Sequence, residues 1–185
     1  MHQSETQLIN RILEGDVRDY AVLVDCYKHL AFTIAYRLLN NREDAEEVVQ
    51  DAFVKAYRNL SGFRQDSRFS TWLFRIVYNT AISKKRLKKT VFQSIDEMPF
   101  LKEPSDKPEQ EDDYDENRGL MLAKAMQKLP EEERVIISLY YIHESSVEEI
   151  HDITGLTKSN IKIKLFRARK KLQELVGHIT EKIYI

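Results

Sequence analysis

The chain has 185 residues, 42% of them hydrophobic and 32% charged, with a formal net charge of −1. That is room for one large or two small domains with real cores. The single cysteine, Cys26, excludes an intrachain disulfide and a Cys-rich zinc site. No signal peptide is read and no apolar run nears 18 residues, so a soluble cytoplasmic protein is expected. Cys26, beside Val22, Val24 and Tyr27, is read as a small buried hydrophobe.

Apolar residues recur at helical spacing over 6–13, 17–40, 42–60, 70–88, 118–129 and 131–141, followed by a helix-turn-helix pattern. With only five glycines in the chain and no convincing alternating segment, the expected fold class is all-α. Charge divides the chain. Residues 1–92 carry fifteen basic and eleven acidic side chains (net +4), 93–117 two and ten (−8), and 118–185 twelve and nine (+3). The middle segment holds Pro99, Pro104 and Pro108 and little apolar content to offset the entropy of ordering. It reads as an acidic flexible linker between two small helical domains, 1–92 and 118–185, and its charge can screen both neighbours.

In the stretch NREDAEEVVQDAFVKAYRNL, the apolar Ala45, Val49, Ala52, Phe53, Ala56 and Leu60 share one helical face. Glu47, Asp51, Val54, Lys55 and Arg58 fall opposite, with Gln50 at the border. Taken alone, this is an ordinary amphipathic helix. The next stretch, GFRQDSRFSTWLFRIVYNTAISKKRLKK, packs Phe63, Phe69, Trp72, Phe74 and Tyr78 among Arg64, Arg68 and Arg75, and ends in Lys84, Lys85, Arg86, Lys88 and Lys89. Interleaved rings and cations suit single-stranded nucleic acid, because rings stack on unpaired bases while cations follow the backbone. Several of these rings must still be core, and Trp72 is expected to be mostly buried.

The segment SSVEEIHDITGLTKSNIKIKLFRARKKL (145–172) has the layout of a DNA-reading helix-turn-helix. Gly155 stands where one helix ends and the chain must pass through a left-handed conformation. Thr157 is placed to cap the next helix. On that helix Ile161, Leu165, Ala168 and Leu172 form an inward stripe, while Lys158, Lys162, Lys164, Arg167, Arg169, Lys170 and Lys171 occupy the other faces with Asn160 and Phe166. The acids Glu148, Glu149 and Asp152 sit on the preceding helix. A basic surface helix is common, but turn, cap and one-signed charge together point to DNA.

The ordered set DAEEVVQDAFVKAY, FSTWLFRIVYNTA, an acidic linker, LPEEERVIISLYYI and a helix-turn-helix ending in LFRARKKL resembles the bacterial extracytoplasmic-function sigma factors, the minimal class of RNA polymerase specificity subunit. The resemblance implies that 1–92 is a region 2 domain that binds core polymerase and melts the minus-ten element. It implies that 118–185 is a region 4 domain reading the minus-thirty-five element, and that 93–117 lies in the polymerase's RNA path. Asp44, Glu47, Gln50, Asp51 and Lys55 would meet the polymerase clamp coiled coil, with a second contact between region 4 and the flap. Phe63, Arg64, Arg68 and Phe69 would capture a flipped minus-ten base, with Asn79, Lys84, Lys85 and Arg86 along the strand and the upstream duplex. Lys162, Phe166 and Arg167 match base-facing positions, where Arg reads a guanine edge and Phe touches a thymine methyl. Lys158, Lys164, Arg169 and Lys170 suit phosphates, and Ser159, Asn160 and Ile163 complete the set. Lys158, Asn160 and Ile163 depart from the small or polar residues usual in the family, so a promoter sequence does not carry over. An anti-sigma factor is a further implied partner; cofactor, metal and membrane insertion are not.

No catalytic constellation is found. His143 and His151 lie eight residues apart across a helix start, with no glycine-rich phosphate loop beside them, which is not the spacing of a metal or acid–base set. The competing reading is a stand-alone helix-turn-helix regulator, which would have no use for the FRQDSRFSTW loop.

Overall fold

A computed structural model describes residues 2–94 and 114–183. Among them the order is α1 (His2–Leu13), α2 (Arg18–Leu39), α3 (Arg42–Arg58), a three-ten turn (Leu60–Gly62), α4 (Phe69–Ser94), α5 (Tyr114–Gln127), α6 (Glu131–Tyr141), α7 (Val147–Thr154) and α8 (Lys158–Ile183), with no strand. The fold is all-α. The expected helices are all present, with α4 and α5 reaching further toward the linker than the periodicity indicated. The segment 95–113, at the centre of the expected linker, lies outside the described residues.

Local sequence explains the corners. Asn40 ends α2 with φ 51°, a left-handed conformation that Asn tolerates. The neighbouring Asn41 caps α3, its side chain accepting the backbone N–H of Asp44 at 2.8 Å. In α6 three glutamates, Glu131, Glu132 and Glu133, occupy the first turn, where the helix dipole favours negative charge. Before α7, Ser146 and Glu149 form a reciprocal capping box.

The first four helices enclose Leu23, Ile34, Leu38, Val48, Phe53, Leu73, Phe74 and Val77, and the last four enclose Val135, Ile136, Leu139, Ile150, Ile153, Ile161 and Leu165. Cys26 departs from expectation: it is exposed. Residues adjacent in sequence point about 100° apart on a helix. Cys26 shares the solvent face with Val22, Asp25 and His29, while Leu23, Ala31, Ile34 and Leu38 carry the buried stripe.

The two halves are packed against one another, α2 on α6 and α4 on α7. The seam is part apolar and part ionic. The ring of Phe74 meets His143 edge-on at 4.9 Å, Lys85 pairs with Glu131, and Arg68 Nε lies 3.4 Å from Glu149. Burial pushes the His143 pKa below its ordinary value of 6.5; Glu149 and Glu144 oppose the shift and Arg68 adds to it. The separated form therefore binds protons more readily than the packed one. Packing is at full strength above the ordinary histidine value and weakens as pH falls through it. Small-angle scattering between pH 7.5 and 5.5 should show the radius of gyration rising, and His143→Phe should remove most of that response.

Candidate nucleic-acid interface

Three surfaces carry the residues singled out from sequence. On α3, Glu47, Gln50, Asp51 and Lys55 are exposed side by side on the face away from Ala45, Val48, Ala52 and Ala56. Asp51 has no ion-pair partner among the described residues. Asp44 is different. It is only 9% exposed, pairs with Lys88 and lies 3.4 Å from Lys84, which also pairs with Glu47. Burial works against a charged Lys84, but the hydrogen bond and charge of Glu47 and the charge of Asp44 outweigh it, and the lysine pKa is raised. Lys84, assigned to one surface, and Asp44 and Glu47, assigned to another, thus join with Lys88 to hold α3 to α4. Lys55 Nζ also reaches α4, donating to Thr80 Oγ1 at 3.3 Å.

The second surface is the loop before α4 and the outer side of that helix. Arg64, Gln65, Asp66, Ser67 and Arg68 are all exposed. Gln65 holds φ 59°, uncommon for a residue with a side chain, and Arg64 Nε lies 3.1 Å from Asp66. Behind the loop the rings form a wall: Phe63 lies 5.7 Å from Phe69 and 5.2 Å from Trp72. Phe69, expected at the surface for stacking, is 1% exposed. It is the first residue of α4 and also meets Tyr27 at 5.7 Å, so it supports the loop from beneath. Phe63 is half-buried, and so is Trp72, expected to be more enclosed. Asn79, Lys85 and Arg86 are exposed but line a cleft of about 460 Å³ whose far wall is Glu132, Thr154 and Leu156 of the other half.

The third surface is α8. Gly155 adopts φ 72°, and Thr157 Oγ1 accepts the Asn160 N–H at 3.3 Å. His151 Nδ1 lies 2.7 Å from the Leu156 carbonyl oxygen, so this histidine donates across the turn instead of ligating a metal. Ile161, Leu165 and Ala168 are buried, while Ser159, Lys162, Ile163, Phe166, Arg167 and Lys170 are exposed. Phe166 is 67% exposed and Ile163 49%, two apolar side chains one turn apart on the outer face. Other cations are partly engaged: Lys158 with Glu148 at 3.0 Å, Lys164 with Glu132 at 2.9 Å, and Arg169 over Tyr140 and Tyr141 at 5.9 and 6.0 Å. Asn160 is half-buried.

What sequence reasoning missed is the set of residues that oppose the second surface: Glu131, Glu132, His143 and Glu149. The signal was present in the acidic first turns of α6 and α7, which complement a basic α4 as well as a helix dipole. Among the described residues no three His, Cys, Asp or Glu side chains gather in a metal-binding group, and no helix is long and apolar enough to cross a membrane.

Comparison with known proteins matches both halves of the chain. Residues 23–90, covering most of α2 through most of α4, match Sigma-70 region 2. Residues 119–172 match Sigma-70 region 4. The chain is 32% identical over 185 residues to the ECF RNA polymerase sigma factor SigW of Bacillus subtilis, covering 90% of this chain and 93% of that one. It is 34% identical over 179 residues to the ECF RNA polymerase sigma-E factor of Escherichia coli, covering 91% and 92%. Among solved structures, the sigma factor RpoE co-crystallised with the anti-sigma factor NepR from Bartonella quintana superposes with a TM-score of 0.72 at 28% identity, covering 86% of this chain and 98% of that one. A region 2 match does not favour a stand-alone helix-turn-helix regulator. The chain belongs to the extracytoplasmic-function family of RNA polymerase sigma factors.

Proposed function

We propose that this sigma factor divides promoter work among the three surfaces. The outer face of α3, with Glu47, Gln50, Asp51 and Lys55, takes the clamp coiled coil of core polymerase. The loop 62–70 and α4 hold the melted minus-ten strand. The outer face of α8 reads the minus-thirty-five duplex, and the polymerase flap meets region 4. The protein performs no chemistry of its own and acts in the cytoplasm. The observation that carries this reading is the sorting of α8: Lys162, Ile163, Phe166, Arg167 and Lys170 exposed together, opposite a buried Ile161, Leu165 and Ala168. Phe166 and Ile163, one turn apart, add apolar area to this cationic face, as contact with base edges and thymine methyls requires.

The packed arrangement has a functional corollary. Arg68 and Lys85 are neutralised by Glu149 and Glu131, and Asn79 and Arg86 face region 4 across the cleft, whereas α8 remains open. This is the resting form, and the minus-ten surface becomes available when polymerase separates the halves. Mixing the chain with core polymerase and following co-elution and promoter-specific run-off transcription tests the reading; co-elution without specific transcription would reduce it to an adaptor.

Arg167 and Lys170 separate base reading from phosphate contact. Arg167→Ala should cost about 1–3 kcal/mol and relax preference at one base position, whereas Lys170→Ala should weaken binding to all duplexes and lower the salt slope by about one. Equal losses on specific and scrambled duplexes from both changes would count against base reading by Arg167.

A further inference from the structure

On α8 the line opposite the buried Ile161, Leu165 and Ala168 is Ser159, Ile163, Phe166 and Lys170, spaced at helical intervals and exposed throughout. Its centre is apolar, with Ile163 and Phe166 both in water. Two neighbouring cations are drawn off to acids of the same half, Lys158 to Glu148 at 3.0 Å and Lys164 to Glu132 at 2.9 Å. Lys162 and Arg167 flank the apolar centre on either side, and among the described residues neither has an ion-pair partner. The outer face of α8 is thus an apolar strip between two free cations.

An isoleucine side chain has no hydrogen-bonding atom and, being β-branched, little rotamer freedom. It cannot read the donors and acceptors by which most base edges are told apart. Thymine alone among the four bases presents an apolar group in the major groove, its 5-methyl. A polar base edge set against Ile163 would lose water and gain no partner, so the position rejects other bases as well as accepting thymine. Three residues of α-helix advance about 4.5 Å, close to the roughly 3.4 Å between neighbouring base pairs. Ile163 and Phe166 therefore reach adjacent steps of the groove.

We propose that Ile163 is a specificity-determining residue, and that with Phe166 it selects two adjacent thymines of the minus-thirty-five duplex by their 5-methyl groups. The inference rests on the reading that α8 enters the major groove, and adds which bases the apolar centre of that face requires. Hydrogen-bonded readout falls to Arg167 at one side. Because neither apolar side chain carries charge, the methyl selection is insensitive to salt, whereas the affinity supplied by Lys162 and Lys170 is not.

The full chain is used to select duplexes from a library with a short randomised window, and the enriched sequences should carry two adjacent T·A pairs. Replacing either thymine with deoxyuridine, which lacks only the methyl, should weaken binding about threefold to fivefold, the worth of one buried methyl. The factor should be the same at low and high salt, and 5-methylcytosine at these positions should outbind cytosine. Ile163→Ser should remove the deoxyuridine effect at one thymine and Phe166→Ala at its neighbour, each leaving the other in place. Lys170→Ala should weaken binding to all duplexes and keep both effects. All three side chains are exposed, so the variants should melt close to the parent. Equal binding of thymine and deoxyuridine duplexes by the parent, or a methyl effect indifferent to Ile163→Ser, would overturn the proposal while leaving DNA reading by α8 in place. Failure to enrich any sequence would overturn that reading, and the proposal with it.

Discussion

Replacing Arg64, Gln65, Asp66, Ser67 and Arg68 with Gly and Ser is expected to leave binding to polymerase and to the minus-thirty-five duplex intact while open-complex formation falls by about 100-fold, or roughly 2.7 kcal/mol. The five side chains are exposed and contribute nothing to the core, so folding should be unaffected. Their position is what gives them leverage. The loop sits over the wall made by Phe63, Phe69 and Trp72, and a flipped base could stack on the half-buried Phe63 while Arg64 or Arg68 holds its phosphate. Extruding a base costs a few kcal/mol, and a stacking contact returns about 1–3. With the ring kept and the polar clasp removed, the balance tips back to duplex. Permanganate reactivity of minus-ten thymines reads the loss, and a pre-melted bubble template should restore much of the transcription. The same variant lacks the Arg68–Glu149 pair, so its halves should separate more easily. If the variant nonetheless melts duplex promoters as well as its parent, base capture lies elsewhere, with Asn79 the next candidate.

Asp51→Arg should abolish holoenzyme assembly, with co-elution falling below detection, while the melting temperature barely moves. Asp51 is exposed on α3 and unpaired among the described residues, and an exposed substitution of this kind shifts stability by under about 0.5 kcal/mol. Asp44→Ala supplies the contrast. Its carboxylate is enclosed between Lys84 and Lys88 and ties α3 to α4, so its removal leaves partly desolvated cations and should cost about 1–3 kcal/mol. A drop in melting temperature for Asp51→Arg equal to that for Asp44→Ala would make the α3 face structural. Sequence spacing put both acids in one functional set; burial separates them.

Much of the molecule was legible because helical periodicity is a local property. Each stripe, such as Ile161, Leu165 and Ala168, names its own buried face, and Gly155 with Thr157 marks its own turn, without knowledge of what lies across the core. Charge was legible for the same reason: the acidic α7 beside the basic α8 is a statement about neighbours in sequence. Cys26 and Phe69 were not. Cys26 was judged by the residues beside it in the chain, whereas on a helix the relevant neighbours are three and four positions away. Phe69 belongs to a run of rings identical in type, and only the packing of Tyr27 and Trp72 around it decides which ring is enclosed.

The sequence by itself therefore determined the all-α class, the helices and their inward faces, the helix-turn-helix and the order of motifs that identifies the family. Tertiary structure alone decided how the two halves meet. Glu131, Glu149 and His143 stand 46 to 81 positions from Lys85, Arg68 and Phe74, their respective partners. Pairings at such separations depend on the loop-closure entropy spent and on the area and charge recovered when helices dock, and no local pattern records either quantity.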